Sequence, residues 1–191
     1  MIPDRVKLSL FFDTALLQAD LLHLERLGIG WTDHFVTRNY AGSWSILPLR
    51  ANRGAVHPIQ QIYSDPASKD YVDTPILEHS PYLKEVLAGF HSTLYAARLM
   101  RLGTGALIKE HRDHDLDVEG GCVRLHIPIL TNPKVHFMLN GQRVVMEAGE
   151  CWYLRLSDPH SVWNDGPDRI HLVVDMLAND WVKEQLLIKV A

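Results

Sequence analysis

Between Ala96 and Asp175 the sequence breaks into short alternating or apolar runs, and no amphipathic helix separates them. Ala96 to Leu102, Ala106 to Glu110, Val123 to Leu130, Lys134 to Leu139, Gln142 to Met146, Gly149 to Leu154, Ser161 to Trp163 and Ile170 to Asp175 all have strand character. Parallel strands need crossover connections of about a dozen residues, usually helical, and these gaps hold none. Antiparallel strands joined by turns are what remains. Asn140-Gly141 is the strongest hairpin signal among the joins. The expected fold is mainly β, an antiparallel barrel or sandwich.

Helices are confined to the flanks. Val6 to Phe12 reads as an opening strand. Asp13 then caps a helix carrying Leu17, Leu21 and Leu24 at helical spacing up to Gly28. Such a helix packs on the outside of a sheet. Ser43 to Leu49 has strand character, and the segment behind it is polar, with Arg50, Arg53 and Gly54. Thr74-Pro75 and Ser80-Pro81 each place Pro after a capping residue. The second opens a helix striped by Leu83, Val86, Leu87 and Phe90, and a last helix from about Asp180 turns Val182 and Leu186 inward. A chain of 191 residues has the size of one domain, 1–191, with its β core over about 96–175.

Charge and hydropathy narrow the function classes. The net charge is -4 and the basic residues are scattered, which argues against a nucleic-acid partner. No apolar run reaches membrane-spanning length, and the N-terminus lacks the apolar region of a signal peptide. No membrane partner and a cytoplasmic location are therefore expected. Cys122 and Cys151 are the only cysteines, which suits a reducing compartment.

The chemistry-bearing residues lie between Lys109 and Asp175. His111 and Asp113 are two apart, so at a strand end both side chains point the same way. His160, after the Pro159 turn, completes two imidazoles and a carboxylate, the donor set that leaves iron(II) open positions for dioxygen. His114 points away if the segment is extended, and Asp115 competes with Asp113 for the carboxylate role. Arg124 and His126 share a strand face, as do Arg169 and His171. An arginine inside a sandwich is costly unless it meets an anion, and its planar fork suits the terminal carboxylate of 2-oxoglutarate. From His160 to Arg169 there is room for a strand, a turn over Asn164 to Pro167, and a return. That return is expected to bring Arg169 alongside the metal strand, with Arg124 and His126 across the pocket. Arg155, near His160, and Arg50, in the polar segment, are candidates for a negative group on the substrate.

Five segments carry a family resemblance: Arg98-Leu-Met-Arg-Leu-Gly-Thr-Gly-Ala-Leu-Ile-Lys-Glu-His111, Val123-Arg-Leu-His-Ile-Pro128, Gly149-Glu-Cys-Trp-Tyr-Leu154, His160-Ser-Val-Trp163 and Arg169-Ile-His-Leu-Val-Val-Asp175. Together they resemble the aspartyl/asparaginyl beta-hydroxylase family of iron(II)/2-oxoglutarate-dependent dioxygenases. The resemblance implies a double-stranded β-helix, jelly-roll and cupin-like, with flanking N- and C-terminal helices. It also implies iron on His111 and His160, the distal 2-oxoglutarate carboxylate on Arg169, and cosubstrate contacts from Arg124 and His126. Members that hydroxylate Asp and Asn in epidermal-growth-factor-like domains lack the metal carboxylate, which Asp113 restores here.

In that respect, and in lacking a membrane anchor or long repeat region, the chain is more similar to small bacterial members such as free L-proline hydroxylases. Arg155 stands where those enzymes have an aspartate. The implied reaction hydroxylates an unactivated C–H of an amino acid, a small molecule or a peptide residue. Dioxygen and 2-oxoglutarate are consumed, and succinate and carbon dioxide are the co-products. Two other readings stay open: a metal-dependent cupin enzyme that does not use 2-oxoglutarate, and a non-catalytic cupin-like ligand-binding module. Two interior arginines favour the dioxygenase.

Overall fold

The computed structural model describes residues 2–64 and 68–188. The chain opens with β1 (Arg5–Phe11) and α1 (Thr14–Arg26), whose first turn is capped by the Asp13 carboxylate accepting from the Ala15 and Leu16 amides. Next come β2 (Thr32–Asp33), β3 (Tyr40–Ala41) and β4 (Trp44–Asn52). A short α2 (Pro58–Ile62), which the sequence pattern does not announce, precedes β5 (Tyr71–Asp73) and α3 (Pro81–Ala88). Then follow β6 (Leu94–Leu102), β7 (Ala106–His111), β8 (Cys122–Leu130) and β9 (Val135–Leu139). The strands end with β10 (Gln142–Val144), β11 (Glu150–Leu154), β12 (His160–Asn164) and β13 (Arg169–Leu177), before α4 (Asp180–Leu187).

One helix expectation needs correcting. Thr74-Pro75 opens only a 3-10 turn, Pro75–His79, and neither Thr74 nor Ser80 caps through its side chain. The Thr74 hydroxyl donates instead to the Pro48 carbonyl at 2.8 Å, tying the turn to β4.

Apart from the β9–β10 hairpin, successive strands from β6 onward alternate between two antiparallel sheets. The larger has β11-β8-β13-β6 at its centre, with β1 at one edge and β4, β2 and β5 at the other. The smaller has the order β10-β9-β12-β7-β3. This winding is the double-stranded β-helix. Asn140 and Gly141 turn the hairpin with φ of 51° and 71°, the left-handed pair that a two-residue turn demands.

The larger sheet is two-faced. Leu99, Leu125, Ile127, Leu172 and Val174 point outward and share one apolar core with Leu17, Leu21 and Leu24 of α1 and Leu83 of α3. Each such side chain stabilises the fold by about 1.5–3 kcal/mol on burial. The outer face therefore holds the helices, and the inner face is left for other work. Strand alternation turns Arg98, Met100, Arg124, His126, Arg169, His171 and Asp175 toward the smaller sheet. Between the sheets, Leu102, Ile108, Phe137, Leu139, Leu154 and Val162 belong to a second apolar cluster.

β12 and β13 do not return side by side. β12 pairs with β7 and β9, whereas β13 pairs with β6 and β8. The Asn164 side chain donates to the Leu102 carbonyl at 3.0 Å and accepts from the Gly166 amide at 3.1 Å, turning the chain across to β6. Arg169 therefore faces the strands of His111 and His160 from the opposite sheet, the one that also carries Arg124 and His126. Both cysteines are free thiols, and no helix among the described residues is long and apolar enough to cross a membrane.

Candidate functional site

His111 ends β7 directly opposite His160 at the start of β12, and the ring centroids are 4.2 Å apart. The backbone amide of Asp113 donates to the Leu156 carbonyl at 2.9 Å, which holds the carboxylate beside them. His111, Asp113 and His160 each offer a ligand atom, all within 4.8 Å of one another, and no other such group occurs among the described residues. Asp115 lines the same cavity but stays outside the trio, because its backbone turns left-handed, with φ 68°.

Backbone carbonyls orient both imidazoles. His111 Nδ1 lies 2.8 Å from the Lys109 carbonyl oxygen, and His160 Nδ1 lies 3.0 Å from that of Asp158. A carbonyl only accepts, so each Nδ1 carries a proton, and in the neutral ring it is Nε2 that keeps the lone pair. Burial holds the His160 imidazole below its ordinary pKa, in the neutral form that ligates. Asp113 Oδ1 stands 3.5 Å from His111 Nε2, while Oδ2 accepts from Arg124 Nη1 at 3.0 Å. Two nitrogens and a carboxylate oxygen converging in this way fit a divalent iron.

Arg124 was expected to contact the cosubstrate; its three nitrogens are committed elsewhere. Nε and Nη2 hold the two oxygens of Asp175 at 2.6 and 2.9 Å, and Nη1 holds Asp113. It lines the cavity as a brace for the Asp113 carboxylate. Burial works against the charge of both partners. Nevertheless Asp175 stays below the ordinary carboxylate range and Arg124 above the ordinary guanidinium one, because they face each other. Arg98 joins them, with Nη1 3.6 Å from Asp175 Oδ2 and Nη2 donating to Ser64 Oγ. Sequence reasoning gave no role to Arg98 or Asp175. Asp175 lies in phase with Arg169 and His171 on one strand, and that parity is the signal that would have found it.

All of this opens on a cavity of about 540 Å³. Arg169 and His126 line it, and they are only 3% and 5% exposed. Among the described residues Arg169 meets no carboxylate. Its Nη2 donates to His171 Nδ1 at 2.7 Å, its Nε has no partner, and both ring nitrogens of His126 are bare. Burial pushes the Arg169 guanidinium down to about 9 and keeps His126 and His171 neutral. A buried cation with unfilled donors is a standing demand for an anion. His34 forms another part of the wall, stacked on Trp44 at 3.8 Å, and burial holds its pKa near 4.

Arg50 and Arg155 are not among the lining residues. Arg50 pairs with Asp73 and donates to the carbonyls of Tyr71 and Tyr95, while Arg155 reaches Glu119 at 3.2 Å and the Ile2 carbonyl. Each has satisfied its charge on a neighbouring strand or loop, so neither faces a substrate in the cavity.

A profile described as aspartyl/asparaginyl beta-hydroxylase matches residues 15–179. Among solved structures, an oxidoreductase of the 2OG-Fe(II) oxygenase family from Burkholderia pseudomallei is 14% identical, with a TM-score of 0.59, over 93% of this chain and 85% of that one. A Pseudomonas putida prolyl-4-hydroxylase is 13% identical, with a TM-score of 0.51, over 91% of each chain. The epimerase SnoN, solved with Fe3+, alpha-ketoglutarate and nogalamycin RO, is 12% identical, with a TM-score of 0.55, over 92% and 79%. These three likenesses are likenesses of fold.

Proposed function

We infer the activity from one premise: the chain belongs to the aspartyl/asparaginyl beta-hydroxylase family. In this reading it is an iron(II)/2-oxoglutarate-dependent dioxygenase that hydroxylates an unactivated C–H of an amino acid, free or in a peptide. Succinate and carbon dioxide are its co-products. The observation that carries the reading is the meeting, in one cavity, of the His111/Asp113/His160 set with an Arg169 that has no counter-charge among the described residues. A cupin metalloenzyme without 2-oxoglutarate has no use for that arginine, and a binding module has no use for the three ligands.

Iron(II) bound by His111, Asp113 and His160, with 2-oxoglutarate and dioxygen as cosubstrates, supplies the oxidative decarboxylation and the oxygen transfer. The side chains contribute position and field. His111 and His160 present Nε2 lone pairs because backbone carbonyls hold Nδ1–H. Asp113 presents Oδ1 because Arg124 holds Oδ2. Arg169 receives the distal carboxylate of 2-oxoglutarate, with His126 beside it offering a further polar contact. Ile108, Phe137 and Val162, which also line the cavity, keep water from that end and strengthen the charge contact. No side chain is needed as a general base.

Protein loaded anaerobically with iron(II) is then given 2-oxoglutarate, air and a panel of free amino acids and short peptides. The reading predicts succinate in step with one product heavier by a single oxygen. Iron-loaded protein that neither binds 2-oxoglutarate nor forms succinate with any panel member contradicts it.

A further inference from the structure

Two residues of the His111/Asp113/His160 set take their orientation from one loop. The segment 155–159 joins β11 to β12. Its Leu156 carbonyl accepts from the Asp113 amide at 2.9 Å, and its Asp158 carbonyl holds His160 Nδ1 at 3.0 Å. Between them, the Ser157 carbonyl accepts from Arg112 Nη1 at 2.9 Å. A loop passes on geometry only as well as it is itself held, and a ligand set needs its supports good to about 0.5 Å.

The backbone holds this loop at its two ends. Arg5 pairs with Leu154, and one residue further the Asp4 carbonyl accepts from the Arg155 amide at 2.7 Å. Leu139 pairs with His160, and one residue further the Asn140 amide donates to the Pro159 carbonyl at 3.0 Å. β1 belongs to the larger sheet and β9 to the smaller, so the loop crosses from one sheet to the other with an anchor on each. Leu156, Ser157 and Asp158, which supply the orienting carbonyls, lie between those anchors.

The Asn140 side chain reaches the middle. Its Nδ2 donates to Asp158 Oδ2 and to Asp4 Oδ2, both at 2.8 Å, so one amide joins the loop, the hairpin tip and the N-terminal segment. Arg5 backs the arrangement: it holds both oxygens of Asp4 at 3.0 and 2.8 Å, and its Nη2 also donates to the Leu139 carbonyl at 3.0 Å. Arg112 stands off from Asp158 at 4.0 Å. The hairpin does not ask for this side chain, because glycine suits a φ of 51° as well as asparagine does. Without the amide, the Asp4 and Asp158 carboxylates would face each other with like charge.

We propose that Asn140 is a positioning residue for the metal. Its side-chain amide fixes the 155–159 loop between the sheets, and through the Asp158 and Leu156 carbonyls it sets where His160 Nε2 and the Asp113 carboxylate stand. This rests on the reading of His111, Asp113 and His160 as a metal site and adds a residue outside the cavity to it.

Cobalt(II), titrated into the full chain against a chelator, is the probe, because its visible absorption reports ligand geometry. The wild type binds one cobalt(II). Asn140→Gly keeps the left-handed turn and removes the amide; it should bind cobalt(II) about tenfold more weakly and shift the absorption at saturation. Asn140→Asp, nearly the same shape, places a third carboxylate there and should bind more weakly still. Asp4→Ala leaves the hairpin untouched and should shift the absorption in the same sense, which keeps the test decisive if the hairpin variants fail to fold. Lys7→Met removes the Lys7–Glu150 ion pair, at 3.1 Å, from the same edge strand and serves as the control, with wild-type affinity and absorption. Unfolding of the metal-free proteins is followed in parallel. A merely structural Asn140 would lower the unfolding midpoint and leave the saturated absorption as in wild type, and that result overturns the positioning role. A control that shifts as far as Asn140→Gly overturns it too. A wild type that binds no cobalt(II) instead overturns the metal site itself, and the role of Asn140 with it.

Discussion

Replacing Arg169 with Met should make the protein more stable and unable to hold its cosubstrate. Burial lowers the Arg169 guanidinium well below its ordinary value, to about 9. At neutral pH that corresponds to a cost of about 5 kcal/mol for keeping the charge where no anion meets it. Methionine fills a similar volume and needs no partner. Against this gain, the bond from Nη2 to His171 Nδ1 at 2.7 Å is lost, and the imidazole is left with neither nitrogen satisfied. That loss costs about 1–3 kcal/mol, so the net stabilisation is about 2–4 kcal/mol. The assay is urea unfolding of metal-loaded protein with and without 2-oxoglutarate. A ligand at 100 times its Kd adds about 2.7 kcal/mol to the wild type and nothing to the variant. The pH dependence has a definite sign. The unfolded chain binds more protons above about pH 9, so the wild type's deficit is complete below that pH and closes as the pH rises above it. Affinity for 2-oxoglutarate falls over the same range. A variant less stable than wild type, or one still stabilised by 2-oxoglutarate, refutes the reasoning.

Four other substitutions probe contacts elsewhere in the fold. Asp175→Asn removes the carboxylate that anchors Arg124, so metal affinity should fall about 10- to 100-fold, measured by competition with a chelator; unaltered affinity would end the bracing role. Gly149→Ala should cost about 3 kcal/mol, or roughly 10 °C in Tm. Its φ is 84°, and an added Cβ would lie 2.5 Å from the Phe12 carbonyl oxygen. Arg50→Ala and Arg155→Ala should each leave the affinity for 2-oxoglutarate within about twofold of wild type, because both pair outside the cavity; calorimetry decides.

How far each residue could be read in advance depended on how local its physics is. The α1 helix was legible because Asp13 caps it and its leucines recur at helical spacing. The β9–β10 hairpin was legible because Asn-Gly supplies two left-handed residues in place. His111 and Asp113 could be paired because strand geometry relates residues two apart. What escaped was set by contacts distant in sequence. Whether β13 returns beside β12 or crosses to the other sheet depends on what Asn164 finds at Leu102, and no local pattern encodes it. Arg124 looked free because its partner Asp175 is 51 residues away, and Arg50 and Arg155 looked free because Asp73 and Glu119 are 23 and 36 away. An arginine's neighbours in sequence show that it is a cation; only the packed structure shows whether that charge is already met.

Anaerobic calorimetry decides whether His111, Asp113 and His160 hold iron(II) beside a 2-oxoglutarate seated on Arg169. Iron(II) and then 2-oxoglutarate are titrated into the wild type and into Asp113→Ala. One iron and then one 2-oxoglutarate should bind per wild-type chain, with both affinities collapsing in the variant. Iron binding of equal strength in Asp113→Ala, or 2-oxoglutarate binding indifferent to the metal, would contradict it.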